Sequence, residues 1–140
     1  MGIQKKILHI LTISVFVFLV FCTFFSIHAA DSARPVVEVA KPARMTLTVN
    51  GKPARYGTVV PSEAVIPGAV VNKGYVYIIR QRQGLFGVED YAKLIEVEII
   101  AADDGHTAIS DLIVSKSDVV VVSSSRYLAP GETVKVNNYD

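Results

Sequence analysis

The chain has 140 residues, 51% of them hydrophobic, with 14 basic and 13 acidic side chains and a formal net charge of +1. This length is enough for one domain and a leader. The near-neutral charge argues against a nucleic-acid partner, because a nucleic-acid binder needs a basic surface to neutralise phosphates. The single cysteine, Cys22, excludes an internal disulfide and a zinc site built from several cysteines.

The apolar excess is concentrated in the first thirty residues, twenty of which are hydrophobic. Lys5 and Lys6 precede the apolar stretch Ile7–Phe25, and small residues follow it. This order predicts that residues 1–30 are a secretory signal peptide. An uncleaved membrane anchor is the alternative, because a helix needs about 20 apolar residues to span a bilayer. In both cases the lysines stay cytoplasmic and residues 31–140 are exported.

Residues 31–140 predict an all-β domain, because short runs of β-branched and aromatic residues alternate with turn residues. The predicted strands are Val36–Val39, Met45–Val49, Tyr56–Val60, Tyr75–Arg80, Leu94–Ile100, Val119–Val122 and Val134–Val136, with short extended pieces at Ala64–Ile66, Ala69–Val71 and Ala108–Val114. A helix could be drawn through Leu94–Ile100, but its β-branched residues favour a strand. Asn50 and Gly51 predict a hairpin turn. The whole pattern favours a small antiparallel barrel or sandwich after an N-terminal apolar leader helix.

The exported part offers little catalytic chemistry. Its one histidine, His106, lies in the turn Asp103–His106, and no nucleophile motif surrounds any serine. The turn supplies three candidate metal ligands without an obvious fourth, so a solvated loop is the favoured interpretation. Glu96 and Glu98 share a strand face, which is more often solvated than catalytic. We predict a protein that is not an enzyme and that has no metal or cofactor.

Three basic residues, Arg80, Arg82 and Lys93, flank the predicted turn Gln81–Gly87. They are candidate contacts for an acidic partner. Basic side chains at such a position can instead keep an exposed strand edge soluble. The sequence supports both interpretations equally.

Four segments follow one another in a recognisable order. Val60-Pro61-Ser62-Glu63-Ala64-Val65 is followed by Tyr75-Val76-Tyr77, by Glu96-Val97-Glu98 and by a stretch from Asp111 to Val136. In this order and spacing, residues 34–137 resemble the C-terminal part of the periplasmic adaptor subunits, also called membrane fusion proteins, of resistance-nodulation-division efflux pumps. The family-motif positions are Pro61, Ala64, Val65, Tyr75, Leu112, Asp118 and Gly131, for which the resemblance implies structural roles.

The resemblance implies a membrane-proximal, permuted SH3-like domain that docks on the periplasmic face of an inner-membrane pump subunit. It places residues 31–140 in the periplasm, associated with the inner membrane. A full adaptor has lipoyl domains and a long α-helical hairpin after its first mature strand, whereas here only residues 41–44 separate Ala40 from Met45. Asp111 replaces a family glycine and is therefore a candidate for a positive φ angle.

Two other functions are compatible with this sequence. The first is a stand-alone periplasmic ligand-binding β-barrel, which needs a concave apolar pocket with a few polar groups. The second is a truncated adaptor remnant without function, because the missing segments include the family's channel-facing part. Fold alone does not separate these alternatives from the docking module.

Overall fold

The apolar leader forms one continuous helix, α1 (Gly2–Ser32), in the computed structural model, which describes residues 2–137. The predicted leader and domain also include residues 1 and 138–140, which lie outside the described residues. No residue of α1 is buried, and its most apolar window has a mean hydropathy of 2.6. By length and composition the helix can cross a membrane. It is therefore consistent with a signal sequence or a membrane anchor.

Nine strands follow α1, and the chain divides into its two compact units between Arg34 and Pro35. The strands are β1 (Val36–Ala40), β2 (Ala43–Val49), β3 (Lys52–Pro61), β4 (Ile66–Pro67), β5 (Lys73–Gly84), β6 (Gly87–Ala102), β7 (His106–Ile109), β8 (Val120–Ser124) and β9 (Lys135–Asn137). They pair in the order β2-β3-β7-β6-β5-β8-β1-β9, and β4 pairs with β5. Only the pairing of β1 with β9 is parallel. The predicted β-rich, mainly antiparallel domain after an apolar helix is confirmed.

The sheet is open, so the prediction of a closed barrel is wrong. β2 and β9 stand at opposite ends of the path, and no strand pairing within residues 2–137 joins them. The reason lies in the central strand β5, which buries side chains on both of its faces. Val76 and Ile78 belong to one hydrophobic cluster, whereas Tyr77 and Ile79 pack against another. A small barrel would collect only alternate side chains in a single interior.

The buried side chains form three clusters. The central core contains Val60, Ala64, Val76, Ile78, Val97, Ile109, Val114 and Val120. The second core contains Val37, Ala92, Val121, Leu128 and Val134. A smaller cluster of Leu47, Val59 and Ala108 supports the β2–β3 hairpin. All three clusters lie entirely within the β domain, which therefore contains its own hydrophobic core.

Turn chemistry explains most differences between predicted and observed elements. Asn50 and Gly51 have φ angles of 52° and 75° and close the β2–β3 hairpin as predicted. The other non-glycine residue with a positive φ is Asn72, so the prediction for Asp111 is wrong. The extended piece predicted at Ala69–Val71 is also wrong. A hydrogen bond from the Lys73 amide to the Val70 carbonyl, 3.1 Å long, closes a turn there.

The strand β1 lies between two strands from the other end of the chain. It pairs with β8 on one side, antiparallel, and with β9 on the other, parallel. Val37, the second residue of β1, is fully buried in the second core. The first strand of the β domain thus pairs only with the last two strands described.

Candidate functional site

The tip of the β5–β6 hairpin exposes large apolar side chains. The two strands pair continuously from Lys73 with Glu98 to Gly84 with Gly87, and Leu85 and Phe86 form the turn. Leu85 is 96% exposed and Phe86 is 75% exposed. Among the residues described, no third strand flanks the last ladder pairs of this hairpin. The turn therefore presents an apolar surface to the surroundings of the domain. We call Leu85, Phe86 and the exposed Val88 the hairpin tip.

The three basic residues predicted as partner contacts do not form one free patch. Arg80 donates from Nη1 to Asp118 Oδ1 at 2.5 Å. Arg82 donates to the Thr133 hydroxyl at 2.8 Å, and its guanidinium lies 5.1 Å from the ring centre of Tyr91. Two of the three thus hold other segments of the domain against the hairpin. Lys93 is exposed and has no such bond to any of residues 2–137.

Asp118 is a buried acceptor for two segments. It is 5% exposed, and its second oxygen accepts the Ser115 amide at 2.8 Å. Burial by itself would raise the pKa of this carboxyl, but the hydrogen bonds from Arg80 and Ser115 and the charge of Arg80 outweigh burial and lower it. The carboxylate therefore stays ionised and fixes the turn before β8. This geometry is structural rather than catalytic.

Two of the acidic residues considered for catalysis or metal binding, Asp103 and Glu96, make local structural contacts. Asp103 Oδ1 accepts the His106 amide at 2.8 Å and the Gly105 amide at 3.1 Å, which closes the β6–β7 turn. These backbone bonds lower the Asp103 pKa. Glu96 accepts a hydrogen bond from Lys73 Nζ at 2.6 Å, and this bond lowers the Glu96 pKa. In the described part of the chain, no three His, Cys, Asp or Glu side chains come together as a metal site.

A groove of about 350 Å³ is lined by residues of both the central and the second core. Its walls come from β4, β5, β6, β8 and the loop after β8. The main lining side chains are Tyr75, Tyr77, Leu94, Val122, Tyr127 and Leu128. No charged residue lines it. The groove is thus aromatic and aliphatic, as ligand sites usually are.

Two hydroxyl groups in this groove differ in their bonding. The Tyr77 hydroxyl donates to the Leu128 carbonyl at 2.7 Å, and burial, followed by the influence of Tyr127 and Glu132, raises the Tyr77 pKa. This hydroxyl therefore stays protonated and engaged. Ser124 also contributes to the groove wall, but its Oγ is buried and has no hydrogen-bond partner among residues 2–137. An unpaired buried hydroxyl is uncommon in a folded protein.

Replacing Ser124 by alanine is expected to stabilise the protein by about 1 kcal/mol, because a buried polar group without a partner is costly. The neighbouring exposed residue offers a matched control. Ser123 donates from its hydroxyl to Glu38 at 2.7 Å, so Ser123→Ala should leave stability unchanged or slightly lower it. Urea unfolding followed by circular dichroism measures both changes. A loss of stability in Ser124→Ala would mean that the hydroxyl is bonded in solution.

The family-motif positions fall at strand ends, turns and buried sites. Pro61 ends β3, and a short 3₁₀ turn, Ser62–Ala64, follows it and replaces part of the predicted extended piece. Ala64 is buried, Val65 packs against the central core, and Tyr75 lies on β5. Gly131 has a φ of +81°, a value that favours glycine. Leu112, in contrast, is 91% exposed.

The sequence predicted a turn at Gln81–Gly87, but it predicted neither the exposed apolar side chains of the hairpin tip nor the groove. The tip had a readable signal, because the turn sequence Gly84-Leu85-Phe86-Gly87 places two large apolar residues where polar ones are usual. The groove had no such signal. Its walls are separated by up to 64 positions, from Ala64 to Leu128, and only the fold brings them together.

Comparisons of this chain with protein-family models, with characterised proteins and with solved structures find no match. The function proposed below therefore rests on the residues themselves, on the motif order described above, and on the hairpin tip and the groove.

Proposed function

We propose that the β domain is a non-catalytic docking module that binds the periplasmic part of an inner-membrane export pump. The resemblance to efflux adaptors supplies the partner class and the expectation of a permuted SH3-like domain. The observation that carries the proposal is the hairpin tip. Leu85 and Phe86 are large, exposed and side by side at the end of a long hairpin.

The hairpin tip has the composition of a contact site. Aromatic residues such as Phe86 are enriched in protein interfaces, and they contribute most when they enter a pocket on the partner. Exposed apolar groups at a turn have no role in the core of the domain. The exposure of these apolar side chains is explained if a partner covers them. Lys93, which has no partner within residues 2–137, adds a positive charge on the same hairpin.

The leader supports a location at the inner membrane. Only three residues, Ala33, Arg34 and Pro35, join the end of α1 to β1. If α1 remains as an anchor, so short a link keeps the domain at the membrane surface, because three extended residues reach about 10 Å. If α1 is cleaved, the domain is free in the periplasm and the pump contact alone recruits it. The pump subunit is the partner in both cases.

A photo-reactive phenylalanine analogue placed at Phe86 of the full chain tests this function in cells that express the natural pump subunits. We expect a cross-link to the periplasmic part of a multi-spanning export subunit, identified by mass spectrometry. The matched control is the same analogue at Leu112, which is even more exposed but lies in the segment between β7 and β8. Position 112 should give no such product.

The double variant Leu85→Ser and Phe86→Ser completes the test. We expect co-purification of the pump subunit to fall about tenfold or more, as for an interface hot spot. Leu112→Ser should leave it unchanged. No transporter product from position 86, or equal products from positions 86 and 112, would contradict the proposal.

A further inference from the structure

We propose that the free edge of β2 pairs antiparallel with the same edge of a second copy of this chain, so that the sheets of the two copies become continuous. This inference goes beyond the docking function and does not depend on it. β2 stands at one end of the strand order, and β3 is the only strand within residues 2–137 that pairs with it. None of the hairpin-tip residues lies on β2, so the two surfaces can be tested separately.

The turn of the β2–β3 hairpin decides which backbone groups of β2 face away from β3. Val49 and Lys52 close a two-residue loop in which both residues have a positive φ. The closing pair of such a loop exchanges hydrogen bonds, and hydrogen-bonded pairs then alternate with pairs that are not bonded. Thr48 and Thr46 belong to pairs that are not bonded, so their amide and carbonyl groups point to the free edge. Pro53, opposite Thr48, is consistent with this alternation, because at a bonded pair a proline would have no amide hydrogen to donate.

The side chains of β2 complement those of the same strand in the reverse direction. With Leu47 opposite Leu47 of the second copy, Met45 lies opposite Val49, and Thr46 lies opposite Thr48. The three apolar side chains share one face of the strand, and the two threonines, both exposed, share the other face. Apolar residues therefore meet apolar residues, and threonine meets threonine, which are pairings that stabilise neighbouring strands. The same register brings the outward backbone groups of Thr46 against those of Thr48.

The charge pattern and the open edge of β2 favour this occupant. Arg44 is the only charged residue of β2, and the register places it opposite Asn50 of the second copy, so like charges do not face each other. Residues 45–49 contain no lysine, proline or bulge, the features that usually block an edge, and the register shift of β2 lies before Met45. At the other end of the strand order, the described part of β9 has three residues and begins with the exposed Lys135.

Disulfide trapping in the full chain tests the register. Every variant carries Cys22→Ser, so that the single native thiol does not compete. A Thr46→Cys chain and a Thr48→Cys chain with a larger affinity tag are mixed in detergent micelles and oxidised with copper phenanthroline. Residues in a bonded pair have Cα atoms about 5.5 Å apart, within the range of a disulfide. The rate constant for the 46–48 product should exceed those for the 46–46 and 48–48 products about fivefold or more, because those positions are more distant diagonal neighbours.

The matched control mixes the Thr46→Cys chain with an Arg55→Cys chain. Arg55 lies opposite Thr46 on β3 and is also exposed. In the proposed dimer, β2 of its own copy separates Arg55 from the other copy. We therefore expect the 46–55 product to form no faster than the 46–46 product.

Proline at position 46 tests the backbone hydrogen bonds. Thr46→Pro removes an amide that faces the free edge, so the chain should keep its sheet, which circular dichroism measures. In the dimer it removes one hydrogen bond from each of the two Thr46–Thr48 pairs, and the dimer dissociation constant should rise about tenfold or more. Thr46→Ala keeps the amide and should leave the dissociation constant nearly unchanged. Sedimentation equilibrium in detergent measures both constants, and α1 is the same in both variants.

Three results would overturn the proposal. The first is a set of equal rate constants for the 46–48, 46–46 and 46–55 products, which shows random encounters within a micelle. The second is a fastest product other than 46–48, which shows a different contact. The third is a folded Thr46→Pro chain with the dissociation constant of Thr46→Ala. If Thr46→Pro does not fold, the disulfide rates decide alone. Failure of the pump cross-link at Phe86 would leave these results unaffected, because they use purified protein.

Discussion

Ile78→Ala is expected to lower the free energy of unfolding by about 3 kcal/mol, because the removed methylene and methyl groups leave a cavity in a packed core. Ile78 is almost fully buried in the central core. It also stands where three strands meet, opposite Lys93 of β6 and Val120 of β8. Strands on both sides therefore have to move to fill the cavity. Urea unfolding of the full chain in detergent, followed by circular dichroism, measures the change.

The control for this variant is Ile100→Ala on β6. Ile100 is 57% exposed, so the same substitution should change the free energy of unfolding by about 0.5 kcal/mol or less. The helix α1 is unchanged in both variants, so its contribution to the circular dichroism signal is the same in both unfolding curves. Equal costs for the two variants would contradict the assignment of Ile78 to the core.

Asp118→Ala is expected to cost about 2 kcal/mol of stability at neutral pH. The substitution leaves the Ser115 amide without its acceptor and Arg80 without its counter-ion, and unpaired groups of this kind are expensive where they are buried. This expected loss of stability is small for the disruption of a buried ion pair, because the Arg80 side chain is partly exposed. Thermal unfolding of the full chain measures this loss. Glu96→Gln, in an exposed pair with Lys73, is the control and should have little effect.

The same variant predicts a pH dependence whose sign follows from the lowered Asp118 pKa. In the unfolded chain the carboxyl titrates near its ordinary value of about 3.9. The stabilisation is therefore complete above that pH and is lost as the pH falls through the lower pKa of the folded state. The stability difference between the native chain and Asp118→Ala should be constant from neutral pH to mildly acidic pH and shrink in stronger acid. A difference that grows on acidification would contradict the assignment.

The local elements were predictable where turn residues and β-branched runs coincide. Asn50 and Gly51 marked a hairpin, and Tyr75–Arg80 lies within β5. The lengths of β5 and β6 were underestimated, because polar residues such as Gln81 and Gln83 resemble a loop when read alone. In the sheet they extend a two-stranded ribbon whose partner strand satisfies the backbone.

The open form of the sheet and the groove could not be predicted, because both depend on contacts between segments that are distant in the sequence. Alternation of side chains along β5 indicates that the strand has two faces. It does not show whether the second face is exposed to solvent or packed against another segment. Here the loop bearing Leu128 covers part of it and leaves the groove beside Tyr77. Likewise, the ion pair between Arg80 and Asp118 could not be predicted, because 38 positions separate the two residues in the sequence.

The position of β1 between β8 and β9 has a consequence for biogenesis. Synthesis begins at the N-terminus, so Val37 is made long before the segments that bury it. Contacts between such distant parts of a chain form slowly, and an unpaired strand edge invites aggregation or proteolysis meanwhile. The domain cannot complete its sheet until the segment that forms β9 has been made. A chain that ends before β8 should therefore be degraded rather than accumulate in a folded form.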